Sequence, residues 1–239
     1  MTPSDPGIEV AAVAERYARR TVHDPRYSLL RPEVRHEAFG RQSAWLGWLD
    51  SSALLHEAGG IDRLRLVEVG CGDGSNLLEW LRVGCAPERL TGLELLPDGV
   101  AEARRRLPVA LQVIEGDASV APLPAGSQDL VIASTVFSSL LDDVFQQRLA
   151  DAMWSWLRPG GAVLWYDFTW DNPRNPDVRG VPRRRVQALF PQGQTRWRRV
   201  TLAPPLARAV GRVQPGLVGL FNLLPPLRTH LAGWIEKPR

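Results

Sequence analysis

The stretch Glu68-Val69-Gly70-Cys71-Gly72-Asp73-Gly74-Ser75-Asn76 decides how the rest of the chain is read. It continues Leu64-Arg65-Leu66-Val67, an apolar and β-branched run that reads as a strand, and it opens Ser75 to Leu81, which suits a helix. Three glycines two residues apart let the chain turn sharply and let a ligand lie against bare backbone. The helix that follows offers free N–H groups and about half a positive charge at its start. Glu68 places a carboxylate two residues before the first glycine. A carboxylate faces a pyrophosphate poorly and faces a cationic group, an ammonium or a sulfonium, well.

Outward from this turn, strands and helices alternate. Arg89 to Leu95 reads as a strand, Pro97 to Leu107 as a helix, and Ala110 to Glu115 and Leu130 to Ser134 as strands. Asp142 to Leu157 is a helix with Phe145, Leu149, Met153 and Trp156 on one face. Pro159-Gly160-Gly161 ends it, and Ala162 to Phe168 is a fifth strand. Such alternation means a parallel sheet covered on both faces. Upstream, Ile8 to Arg20 and Pro32 to Ala58 read as helices, the second stopped by Gly59-Gly60. Downstream, residues 170–182 form a loop, Arg183 to Phe190 a helix, and Arg196 to Leu202 and Thr229 to Ile235 the last two strands. Ala203 to Arg228 is apolar and broken by prolines. The expected class is α/β, a doubly wound, mostly parallel seven-stranded sheet. Residues 1–60 form an N-terminal helical lid, and residues 61–239 form a core decorated by the 170–182 loop and the 203–228 segment.

With 239 residues, 44% apolar and 23% charged, the chain suits one decorated α/β domain and excludes wholesale disorder and a coiled coil. No fixed period marks a solenoid or propeller. Cys71 and Cys85 are the only cysteines, and one lies inside the glycine turn, so they are not a disulfide framework. Met1 to Val10 has no apolar core of a signal peptide, and Gly216 to Leu224 falls short of the about 20 residues that span a bilayer. A cytoplasmic location follows as the expectation. Charge is uneven: residues 1–177 hold 25 acids and 17 arginines, whereas residues 178–235 hold ten arginines and no acid. That asymmetry points to an anionic partner for the C-terminal part.

A dinucleotide turn wants a small residue three after its second glycine; here that place is Ser75, and the third glycine is Gly74. The spacing instead closely resembles the first motif of the class I S-adenosylmethionine-dependent methyltransferases, a family with a Rossmann-like fold. Later elements agree. Glu94 ends the second strand, Gly116-Asp117-Ala118 follows the third, Asp129 to Ser134 resembles the fourth-strand motif, and Leu157 to Gly161 resembles the turn before the fifth. The resemblance covers about Asp62 to Phe168. It implies S-adenosyl-L-methionine as cofactor, with Glu68, Gly70, Cys71, Gly72, Gly74 and Asn76 at its amino-acid end. Glu94 and Leu95 are then at the ribose, Asp117 and Ala118 at the adenine, and Ser134 beside the methyl group. By analogy with small-molecule members, the N-terminal segment covers the site and brings Arg26, Tyr27 and Arg41 to it, with Tyr27 counted among the cofactor-binding residues.

The expected acceptor is a small molecule, most simply a hydroxyl of an anionic or carrier-linked sugar or metabolite. An oxygen or nitrogen acceptor needs a base, for which Asp167 at the end of the fifth strand stands first and His36 second, with Asp171 and His230 behind them. A helix face for His36 and a loop cap for Asp167 stay open as plain structural roles. No His, Cys and carboxylate spacing suits a metal, so none is expected. The Asn/Asp-Pro-Pro-aromatic motif of enzymes that methylate base amines is absent after the fourth strand, and no RNA module is recognisable, so nucleic acid is disfavoured. An RNA or protein methyltransferase using the arginine-rich part, a non-catalytic cofactor-binding protein, and a peripheral membrane contact remain the alternatives.

Overall fold

The computed structural model describes residues 6–18, 28–172 and 175–239. Arg26 and Tyr27 lie outside the described residues. Two helices come first, α1 (Pro6–Ala18) and α2 (Pro32–Asp50), then a short α3 (Leu54–Ala58). The alternating core follows as β1 (Leu66–Val69), α4 (Ser75–Val83), β2 (Leu90–Glu94), α5 (Pro97–Arg106), β3 (Gln112–Glu115), β4 (Gln128–Ser134), α6 (Asp143–Trp156) and β5 (Leu157–Phe168). The chain closes with α7 (Arg183–Leu189), β6 (Gln194–Leu202), α8 (Pro204–Val213), α9 (Leu217–Phe221) and β7 (Arg228–Glu236).

The seven strands form one sheet in the order β3-β2-β1-β4-β5-β7-β6. β1 to β5 pair in parallel, and β7 runs antiparallel between β5 and β6. Strands β1 and β4 are buried almost throughout, which is why they read as continuous apolar runs rather than as alternation. Strand order reverses at β1, so the crevice beyond the carboxyl ends of β1 and β4 is where a ligand is expected to bind.

Two apolar layers sandwich the sheet. On one face Trp45 and Leu49 of α2 and Leu77 and Trp80 of α4 meet Leu66, Ile132, Tyr166 and Trp234. On the other, Phe145, Leu149 and Met153 of α6 and Val186 of α7 meet Val67, Val131, Trp165 and Ile235. The N-terminal helices are therefore divided between the faces. α2 is built into the first layer, where the Trp45 indole N–H donates to the Trp165 carbonyl at 3.2 Å. α1 lies on the second, where Arg16 donates to the Ser139 carbonyl at 2.9 Å and Glu9 accepts the Leu141 N–H at 2.8 Å.

Two sequence expectations change. The helix expected over 32–58 breaks after Asp50, where the Ser52 hydroxyl takes the Leu49 carbonyl and the chain restarts at Leu54. The 203–228 segment is not simply broken by its prolines. Pro204 and Pro205 occupy the first turn of α8, where their missing N–H groups cost nothing. The Gly211 and Gly219 backbones of α8 and α9 allow close approach to Glu33 and His36 of α2.

Because Trp45 fills the sheet face from α2, Trp45→Ala is expected to cost about 3–5 kcal/mol of stability. Denaturant unfolding measures this, and a cost below about 1 kcal/mol would show that α2 is a loosely docked cover.

Candidate functional site

The glycine turn links β1 to α4 with Gly70, Gly72 and Gly74 all in the left-handed region, at φ of 62°, 53° and 78°. Gly74 has no room for a side chain, since a Cβ there meets Leu107 at 2.7 Å. Over Gly72 no atom lies within 4 Å of where a Cβ would stand, so bare backbone faces open space. Cys71 takes no part in that surface. Its N–H donates to the Leu93 carbonyl at 3.0 Å, its sulfur packs toward Gly92, and burial pushes its thiol well up.

Glu68 stands at the mouth of this turn and is 1% exposed. Its Oε1 accepts from the Asn76 amide at 2.5 Å, while its Oε2 is buried with no hydrogen-bond partner. Burial pushes its carboxyl up to about 8, against the pull of the Asn76 hydrogen bond and of Arg41. Arg41 reaches over from α2, donating to Asn76 Oδ1 at 2.5 Å, and its Nε is likewise buried and unpartnered. A carboxyl oxygen and a guanidinium nitrogen without partners, on two side chains that both bond Asn76, are the groups that would receive the ammonium and carboxylate of an amino acid.

Around this centre the other expected residues fall as follows. Glu94 ends β2 with both oxygens on backbone, accepting from Gly72 N–H at 2.7 Å and Leu96 N–H at 2.9 Å. A carboxylate has about four lone-pair sites, so capacity remains on both oxygens. Leu95 is half-buried beside it. Asp117 caps the short turn Ala118–Val120, accepting from Ser119 N–H at 2.8 Å, and pairs with Arg148 at 2.7 Å. Ala118 packs on the second apolar layer. Ser134 closes β4, half-buried.

Both expected bases are corrected. Asp167 is 1% exposed, and its oxygens accept from Ser138 N–H and Phe168 N–H, each at 2.9 Å. It is a cap that fixes the turn after β4; burial raises its carboxyl to about 7 against those hydrogen bonds. His36 is exposed on α2 against Gly219 of α9, about 100° around the helix from Glu37. Asp171 is a loop cap, accepting the Gly180 N–H at 2.8 Å.

Residues that sequence reading left aside, or ranked last, gather instead at the ends of β5, β6 and β7. Antiparallel pairing sets His230 opposite Phe168 and stacks it on Tyr166, 5.1 Å between centroids. The Tyr166 hydroxyl meets Thr201 Oγ1 at 2.8 Å and also faces Glu37, and the Arg41 guanidinium lies over the Tyr166 ring at 5.2 Å. Burial lowers the His230 pKa and so keeps its imidazole neutral. Thr135 and Thr201 sit at φ of 56° and 62°, a strained conformation for β-branched residues that clusters at functional sites. Their φ values leave no trace in a sequence.

Comparison with known proteins matches residues 66–161 to the methyltransferase domain family. The matched residues run from the start of β1 into β5. A curated relative, the trans-aconitate 2-methyltransferase of Paracidovorax citrulli, is 32% identical over 169 residues, covering 71% of this chain and 59% of its own. An uncharacterised transposon protein of Streptomyces fradiae is 33% identical over 109 residues, 44% of this chain and 30% of its own. The chain thus spans less than two thirds of the length of these relatives. Among solved structures, the geranyl diphosphate C-methyltransferase of Streptomyces coelicolor A3(2) aligns over 98% of both chains with a TM-score of 0.62 at 16% identity. A methyltransferase from Archaeoglobus fulgidus aligns over 73% of this chain and 86% of its own with a TM-score of 0.56 at 15% identity. These likenesses establish that the methyltransferase fold extends through β7.

Within the matched residues, Glu68 sets a pH dependence. Its folded pKa of about 8 lies above its ordinary value of 4.5, so the fold favours the neutral carboxyl. Its contribution to stability is whole below the ordinary value and is lost as pH rises through about 8. Glu68→Gln is therefore expected to gain stability relative to wild type between about pH 5 and about pH 9. Urea midpoints at the two pH values test this; a constant difference would contradict it.

Proposed function

We propose that the chain transfers a methyl group from S-adenosyl-L-methionine to a small-molecule acceptor. The observation that carries this reading is the orphaned Glu68 Oε2 beside the open backbone of Gly72 and the orphaned Arg41 Nε. An amino acid's ammonium fits the first and its carboxylate the second, with charge-assisted hydrogen bonds at both ends. Glu94 then takes the ribose hydroxyls with its spare lone pairs, and Asp117 takes the adenine amino group. When bound, the cofactor supplies a sulfonium-activated methyl carbon to an in-line displacement. The protein's part is to hold the acceptor in line and clear its proton.

For that proton, His230 replaces Asp167 and His36 as the proposed base. It is neutral, it lies at the mouth of the sheet, and it stands with Tyr166, Glu37 and Thr201 among groups that can orient a hydroxyl. The small-molecule reading draws support from the curated relative, which is named for trans-aconitate, and from the structural neighbour, which was solved with geranyl diphosphate and S-adenosylhomocysteine. Both acceptors are small anions.

Calorimetry with S-adenosylhomocysteine tests the cofactor half. Glu68→Gln and Arg41→Gln are each expected to weaken binding by about tenfold or more. At about pH 7 binding to wild type releases a proton, because a carboxyl held near 8 must ionise to meet an ammonium, and Glu68→Gln releases none. Unchanged affinities in both variants would overturn the assignment.

Labelled methyl groups test the other half. Label is expected on small metabolites of a cell extract, and label confined to RNA or protein would overturn the small-molecule reading. On such a substrate His230→Asn is expected to lower kcat by about a hundredfold with S-adenosylhomocysteine affinity unchanged. A kcat within about threefold of wild type would remove His230 as the base.

A further inference from the structure

The ten arginines of the acid-free stretch do not form one basic face. Arg179 and Arg185 both pair with Asp143, at the start of α6. Arg196 lies 3.6 Å from Glu236 and over the Trp234 ring. Arg228 donates to the Asn222 and Arg199 carbonyls. Arg208 and Arg212 belong to α8, against α2.

Three arginines are left that converge. A groove of about 1120 Å³ opens between residues 169–171 and 179–182, α7 and β6, on the sheet face away from α2. Arg183, Arg184 and Arg199 line it beside the Arg179 and Arg185 pairs. Side chains alternate along β6, so Trp197 and Arg199 face the groove while Arg198 points to the other side. No carboxylate of the described residues pairs with Arg183, Arg184 or Arg199. Among the described residues the acids in the lining are Asp143, already shared by two arginines, and Asp171, which caps Gly180. Five arginines against two aspartates leave these described residues at +3.

We propose that this groove is a binding site for a diphosphate ester. Three unopposed guanidinium forks in one concavity suit the roughly three charges and many acceptor oxygens of a diphosphate, whereas a monophosphate leaves one fork unmatched. The volume is far larger than inorganic diphosphate needs and lies just above the about 300–1,000 Å³ of a pocket for a complete organic ligand. Two flat apolar surfaces are present for the organic part: Trp170, 64% exposed, and Trp197, whose ring lies 5.7 Å from the Arg183 guanidinium. The concave arrangement disfavours an extended nucleic-acid backbone, which would run along a stripe of cations.

The site stands apart from the glycine turn, since none of its described lining residues hydrogen-bonds to Glu68, Asn76 or Arg41. It joins the catalytic end of the sheet through Arg179, whose N–H donates to the Ser138 carbonyl in the turn that Asp167 caps.

Titration of the full chain with inorganic pyrophosphate, inorganic phosphate and ADP, followed by tryptophan fluorescence and calorimetry, tests the assignment. At about 0.15 M salt, pyrophosphate and ADP are expected to bind at least about tenfold more tightly than phosphate. ADP is expected to change tryptophan emission, and Trp170→Ala to reduce that change. The double variant Arg184→Gln/Arg199→Gln is expected to lose about tenfold or more in pyrophosphate affinity, while Arg208→Gln/Arg212→Gln keeps it; unchanged melting of both variants shows that they fold. Equal binding of phosphate and pyrophosphate, equal loss in the two double variants, or binding of single-stranded RNA alone would overturn the proposal. S-adenosylhomocysteine affinity, read in parallel, separates the two sites. Its loss with pyrophosphate binding intact counts against the glycine-turn reading only, and the reverse counts against this one only.

Discussion

A carboxyl group buried at the end of β1 with one oxygen unpaired is the constraint around which this molecule is arranged. Leaving a buried acceptor without a partner costs about 1–3 kcal/mol, and ionising it there costs more. Glu68 is held in that state by its neighbours: the β1 backbone is paired on both sides, Asn76 occupies the other oxygen, and Arg41 steers Asn76 from a helix anchored by Trp45. A fold retains such an unmatched group where a ligand completes it, and strain of this kind gathers at functional sites. The positive φ angles of the three glycines and of Thr135 surround the same crevice.

Hydrogen-bond satisfaction also ranks the carboxylates at the strand ends. Asp167 is satisfied within the protein by two backbone N–H groups, whereas Asp117, held by Ser119 and Arg148, keeps a lone pair on Oδ2. Glu94 is intermediate, since it ties the Gly72 turn to β2 and still has lone pairs to offer. Of these four carboxylates, only Glu68 has a buried oxygen that no described residue meets. Satisfaction of hydrogen bonds, rather than residue type or place at a strand end, distinguishes them.

Much of the architecture was legible because local rules agreed with each other. The β-branched run before Glu68, the glycine spacing, Pro97 opening a helix and the aromatic face of α6 each pointed to the alternating order that the sheet shows. The antiparallel β7 was legible as a strand, but its insertion between β5 and β6 was not, and with it went the nearness of His230 to Tyr166. α2 was legible as a helix, yet which of its faces meets the sheet depends on Trp45 packing that no periodicity revealed; hence Arg41 and Glu37 reach the site and His36 does not. The helices of 203–228 were hidden because prolines that usually break helices here begin or flank them. The charge of the C-terminal part read as one feature, and only tertiary pairing divides it into neutralised arginines and three that converge on a groove.

The most direct test of the central claim is a crystal structure with S-adenosylhomocysteine. The account places the ligand's amino nitrogen within about 3.2 Å of Glu68 Oε2, its carboxylate on the Arg41 guanidinium, and its backbone-facing edge over Gly72. An amino-acid end lying elsewhere with Glu68 Oε2 still unmet, or a dinucleotide seated over the glycines in its stead, would contradict it.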